Sequence, residues 1–289
     1  MLSVKPQDNW LWGNAAFTYA TADKAPAQTD AKARLIANYI SKFQLVTGGG
    51  LYIDGFAAPQ KHEFRDAWTA RRVLELEPKR LRRFWLCDLD PEGVAALRDL
   101  KSKHHREPRF RHVHVLEGDF NTTFKTILKS GRIKRRSAVF ALLDQRSTEC
   151  AWSTVAGLAE YKGVTRIELL YFLGTGWLHR SLNSAKRPET VKQIRQWWGG
   201  DDWKKLTGKS QTQLSTVVAQ RFQKELGYKY ATIWPVFLKE GSGKVAFSLI
   251  HATDHDAAPK LMFRAYRDIY GDRPGSPTDP QPDLPLELT

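Results

Sequence analysis

The feature that most constrains this chain is a series of short apolar runs, each ending in an acid. LYID (51–54), FWLCDLD (84–90), VHVLEGD (113–119) and AVFALLD (138–144) follow one another, and IELLYFLG (167–174) closes the series. Asp54, Asp88, Asp119 and Asp144 stand 34, 31 and 25 residues apart. A strand with its crossover helix takes roughly 30 residues, so the acids recur once per βα unit. The intervening segments 68–76, 91–103, 122–129 and 152–161 carry the spacing of amphipathic helices. Apolar strands alternating with such helices predict an α/β, Rossmann-like, mostly parallel sheet covered on both faces.

Right-handed crossovers point all these strands one way. Their C-terminal ends share one edge, and ligands of open α/β sheets bind outside it. A lone Asp after a strand usually makes a turn or caps a helix, and each of the four can do so. Four in series along one edge also describe a ligand crevice.

Upstream, Ala33, Ile36, Ala37, Tyr39 and Ile40 predict a helix over 29–43 with Asp30 in its first turn, ended by the glycines at 48–50. Downstream lie an aromatic and basic insertion (174–206), a helix over 211–226, a β-hairpin over 232–253 turning at 240–244, and a helix over 256–269 capped by Thr253 or Asp254. Five parallel strands followed by an antiparallel hairpin match the class I methyltransferase order. A dehydrogenase-type sheet would instead add a sixth parallel strand. The layout is an N-terminal extension (1–28), one Rossmann-like domain (29–271) holding the insertion, and a tail (272–289) expected to be disordered, with five prolines in 18 residues.

Charge bears on the partners. Lys and Arg number 45 against 31 acids, a formal +14, which fits a polyanion such as nucleic acid and a solvated basic surface equally. No apolar run is long enough to span a membrane, and the N-terminus lacks a leader pattern. Cys87 and Cys150 form no disulfide framework and no zinc spacing. A reducing, cytoplasmic setting is expected.

Cationic runs enter three strands from their N-terminal ends: Lys79–Arg83, Lys101–Arg111 and Arg132–Arg136. They sit on the edge opposite the acids, so any nucleic acid they bind lies away from the crevice, and a docking or solubilising role is at least an equal reading. The insertion leaves the acidic edge and offers Trp177, Arg180, Lys186, Arg187 and Arg195 as nucleic-acid contacts, since cations hold phosphates and aromatic faces stack on bases. Trp197, Trp198 and Trp203 serve either that role or packing. His251, Asp254 and His255 resemble a small metal cluster only weakly.

The first strand's turn, Asp54-Gly55-Phe56-Ala57-Ala58-Pro59, has small residues but no GxGxxG, and no P-loop occurs anywhere. The segment resembles the YIDxFAGPG turn of the three-Cys-motif partner protein (TcmP) family, itself similar to a motif of S-adenosylmethionine-dependent DNA methyltransferases. The match runs through an upstream helix bearing Lys32, then Asp88, Gly118-Asp119-Phe120-Asn121, Asp144, Trp152-Ser153-Thr154, Asp202-Trp203 and Leu226-Gly227-Tyr228, about residues 28–265.

The resemblance implies roles. Asp54, Gly55, Phe56 and Ala57 would line the methionine part of S-adenosylmethionine. Asp88 would take the ribose hydroxyls, and Asp119 and Asn121 would lie near the adenine. Asp144 would be the catalytic acid that orients a target nitrogen. Departures fall at the crevice: FAAPQ replaces FAGPG, Gln145-Arg146-Ser147 follows Asp144 where the family has Pro-aromatic-Gly, and Gln28 replaces a His. The aromatic that would stack on a flipped base is thereby lost.

Three readings follow. The first is methyl transfer to nucleic acid. The second is a catalytically degenerate member that binds nucleic acid or a protein. The third, a metal-dependent nuclease, fits least, because the spacing spreads the acids along the sheet.

Overall fold

Five strands form in sequence where the apolar runs predict them: β1 (Gly50–Asp54), β2 (Leu81–Asp88), β3 (His112–Glu117), β4 (Val139–Leu143) and β5 (Glu168–Leu173). The computed structural model describes residues 25–59, 61, 64–163, 165–239, 243–272 and 277. Most of the expected N-terminal extension and Pro-rich tail lies outside these. The five strands are parallel, and the hairpin β6 (Tyr230–Phe237) and β7 (Val245–Thr253) joins antiparallel to β5 through β7. The order is β3-β2-β1-β4-β5-β7-β6, a Rossmann-like sheet of the methyltransferase type.

Alternate strand residues feed two cores, as a two-residue period requires. Ile53, Trp85, Ala141, Leu169 and Tyr171 face one side, and Tyr52, Phe84, Phe140, Leu142 and Leu170 face the other. The second side is covered by α1 (Ala27–Val46), α2 (Thr69–Leu74), α3 (Pro91–His104) and α9 (Ala258–Tyr270). The first is covered by α4 (Phe120–Lys129), α5 (Trp152–Glu160), α7 (Pro188–Trp198) and α8 (Gln211–Lys224), with α6 (Thr175–Ser184) leading into α7.

Two expectations change in detail. The helix expected over 68–76 is a 3-10 turn (Arg65–Ala67) followed by the short α2, because Trp68 is extended there and its Nε1 donates to the Ala57 carbonyl at 2.7 Å. Neither Thr253 nor Asp254 caps α9, whose N-cap is Ala257. Thr253 instead donates to the buried Glu168 at 3.2 Å, and Asp254 pairs with Arg166 at 3.1 Å.

The insertion folds onto the first core. Trp197, Trp198 and Trp203 are all buried, which assigns them to packing. Gly199 ends α7 at φ 86°, and a Cβ there would lie 3.0 Å from Trp152, so the chain reverses close to α5 only as glycine. Among the described residues, no helix is long and apolar enough to cross a membrane.

Candidate functional site

Strand β1 leads to β2 on one side while β4 lies on the other. The ends of β1 and β4 therefore flank the topological switch point, where α/β sheets hold ligands. Asp54 ends β1, and Asp144 is the first residue beyond β4. Asp54 and Asp144 thus stand together at the switch point.

Asp54 is 1 % exposed. Tyr52 donates its hydroxyl to Oδ2 at 3.0 Å, and the Phe56 N–H donates to Oδ1 at 3.2 Å. Burial and then the charge of Asp144 push its carboxyl up to about 7, against the pull of those two hydrogen bonds. Asp54 is therefore poised to gain or lose a proton near neutrality.

Asp144 is held from across the sheet. Lys32 Nζ lies 2.7 Å from both of its carboxylate oxygens. The same ammonium stands 5.0 Å from the Phe172 ring and 5.6 Å from the Phe247 ring, so α1 delivers a buried cation into an aromatic corner. Lys32 and Tyr52 are the site residues that the strand-end pattern does not reveal.

Asp88 stitches two turns together, accepting from the Ala58 N–H at 2.8 Å and the Asp90 N–H at 3.0 Å. The Ala57 N–H donates to the Cys87 carbonyl at 2.8 Å, which fastens the β1 turn to the end of β2. Gly93 on α3 permits this approach, since a Cβ there would lie 2.4 Å from Ala58 Cβ. Gly55 meets Phe120 instead: a Cβ would stand 2.8 Å from that ring.

The remaining predicted residues follow β3 and β5. Asp119 caps α4, accepting from the Asn121 N–H at 2.9 Å. Asn121 spans the crevice side of the loop after β4, donating to the Glu149 carbonyl at 2.8 Å and accepting from the Ala151 N–H at 2.8 Å and Thr154 Oγ1 at 2.7 Å. Gln145 is buried just beyond the end of β4, donating to the Phe172 carbonyl on β5 at 3.2 Å and accepting from the Cys150 N–H at 2.8 Å. Its side chain acts in the scaffold. In the insertion, Trp177 is half-buried against the core, and Arg195 pairs with Asp201 through two guanidinium nitrogens. Arg180, Lys186 and Arg187 are exposed.

The cavity beside Asp54 and Asp144 measures about 30 Å³ and is walled by Thr29, Ala58, Phe64 and Trp68. That is room for about one water. The donor set fits a nucleoside cofactor with a cationic head: a half-buried carboxylate ends β2 and a buried, titrating one ends β1. The volume admits it only if the Phe64–Trp68 wall moves outward. Among the described residues, no three His, Cys, Asp or Glu side chains group to hold a metal ion.

No family model and no curated protein matches the chain. Two solved structures align with it at low similarity. TYW2 of M. jannaschii in complex with AdoMet is 9% identical, with 78% of this chain and 75% of that chain covered and a TM-score of 0.39. A DUF574 family protein from Streptomyces avermitilis MA-4680 is 12% identical, with 78% and 83% covered and a TM-score of 0.42.

Proposed function

We propose that this TcmP-like protein binds S-adenosylmethionine at the β1–β4 switch point and transfers a methyl group to nucleic acid. The observation that carries this reading is the pairing of Asp54 and Asp88 at adjacent strand ends in a sheet of methyltransferase order. Asp88 keeps lone pairs for two ribose hydroxyls beyond its two backbone bonds. Asp54 faces the cofactor's ammonium, whose charge holds the carboxyl ionised at pH 7. The bound cofactor supplies an electrophilic methyl on a sulfonium.

Asp144 orients the acceptor. Lys32 takes one lone-pair site on each carboxylate oxygen, which leaves others for an acceptor N–H. Lys186 and Arg187 contact phosphates, aided by Arg180.

A second reading has its own support. Phe120 fills the space below Gly55, and Lys32 already satisfies Asp144. Both suit a protein that has kept the fold for binding alone. Incubating the full chain with methyl-labelled S-adenosylmethionine and pooled RNA or DNA separates the two. Label in the polymer supports transfer; cofactor-independent nucleic-acid binding without label supports the second reading.

A further inference from the structure

The edge of the sheet opposite the crevice has no assigned role, and its charge is distinctive. Arg82 and Arg83 stand at the start of β2, Arg106 in the turn before β3, and Arg132, Arg135 and Arg136 in the turn before β4. None of these six pairs with a carboxylate among the described residues, while their neighbour Lys79 does; Arg83 Nη1 lies 2.8 Å from His114 Nε2. The other five guanidinium groups are exposed and open to an external anion.

The strand register gathers them. Arg83 lies opposite His112 across β2 and β3, and Leu51 lies opposite Val139 across β1 and β4. Four adjacent strand starts cover about 15 Å at the usual interstrand spacing. The β1 turn keeps this edge low: a Cβ on Gly49, at φ 136°, would lie 2.9 Å from the Arg80 carbonyl and 3.3 Å from Arg82 Nε.

Two histidines register the resulting field. Burial, then Arg83, pushes His114 down to about 4, and burial followed by Arg83, Arg106, His105 and Arg132 lowers His112. No carboxylate opposes these shifts. Lys162 joins the same edge, half-buried and donating to the Ser137 carbonyl.

The geometry points to a second nucleic-acid surface here: the N-terminal edge of β3, β2, β1 and β4 docks the phosphate backbone, on the face opposite the switch-point crevice. Arginines spread along about 15 Å of sheet edge suit a duplex, which presents roughly nine phosphate charges over that length of axis. Phe110, 51 % exposed in the turn before β3, offers a ring to an end base. An anionic membrane is the competing partner, because Leu45 and Val46 are also exposed at this end. Two aliphatic side chains at one helix terminus give such a surface little to insert.

The test is fluorescence anisotropy of the full chain with a short labelled DNA duplex and the matching RNA duplex over a salt series, without cofactor. The variant Arg132→Gln/Lys134→Gln/Arg135→Gln should weaken binding at least about tenfold and lower the log–log salt slope by about 2 to 3, with an unchanged melting temperature. Arg82→Gln/Arg106→Gln, on other strands, should act in the same direction. Wild-type affinity and slope in both variants would overturn the proposal. So would a loss confined to Lys186→Gln/Arg187→Gln, or binding to phosphatidylserine vesicles without duplex binding. Because the assay omits the cofactor, a failed methyl-transfer reading leaves its outcome intact.

Discussion

Lys32 Nζ sits 2.7 Å from each carboxylate oxygen of Asp144, joining α1 to the end of β4 across the mouth of the crevice. Their side chains are only 6 % and 14 % exposed. A pair this buried is costly to break, because the survivor is left as an uncompensated charge. Lys32→Met should therefore destabilise the protein by about 3 kcal/mol in urea unfolding, and adding Asp144→Asn should recover part of that loss. An additive double-mutant cycle would show that the two residues do not act as a pair.

Asp54 makes stability depend on pH in an unusual direction. Its folded value, about 7, is above the ordinary 3.8, so between these limits the native state holds a proton that the unfolded chain has released. Stability falls as pH rises from about 4 to 7, by up to about 4 kcal/mol. Asp54→Asn should remove that decline from a pH series of urea midpoints. Parallel profiles for the two proteins would contradict the assignment.

The same carboxyl couples to the proposed cofactor. An ammonium placed beside Asp54 favours its ionised form, so binding S-adenosylmethionine at pH 7 should release a fraction of a proton. Calorimetry in buffers of different ionisation enthalpy reads this directly. The release should disappear in Asp54→Asn.

Asn121 serves the scaffold through bonds to Glu149, Ala151 and Thr154. Asn121→Ala leaves the Ala151 N–H and the Thr154 hydroxyl without this acceptor and should cost about 2 kcal/mol. Cofactor affinity should change less than twofold in a titration; a tenfold loss would place Asn121 in the nucleoside site.

How far the chain could be read follows from the range of each interaction. The positions of Asp54, Asp88 and Asp144 are legible because strand and helix periods are local, and the acids punctuate them. Tyr52 was within reach too, since residues two apart share a strand face. The Lys32–Asp144 pair was not, because its members lie 112 residues apart and only the packing of α1 brings them together. Tryptophans in a basic insertion read alike whether they stack on bases or fill a core. Trp197 and Trp198 are settled by burial and by their N–H bonds to Tyr171 at 2.5 Å and Asp202 at 2.7 Å. Gln145 gains its meaning only from the bonds by which it ties the loop after β4 to Phe172 on β5.

The central claim is that Asp88 and Asp54 form a nucleoside-cofactor crevice. Isothermal calorimetry of the full chain with S-adenosylmethionine tests it most directly, set beside Asp88→Ala checked for an unchanged fold. The predicted result is saturable binding that weakens at least about tenfold in the variant, as loss of a charged hydrogen-bond acceptor requires. No binding by the wild-type protein, or equal affinity in both, would contradict it.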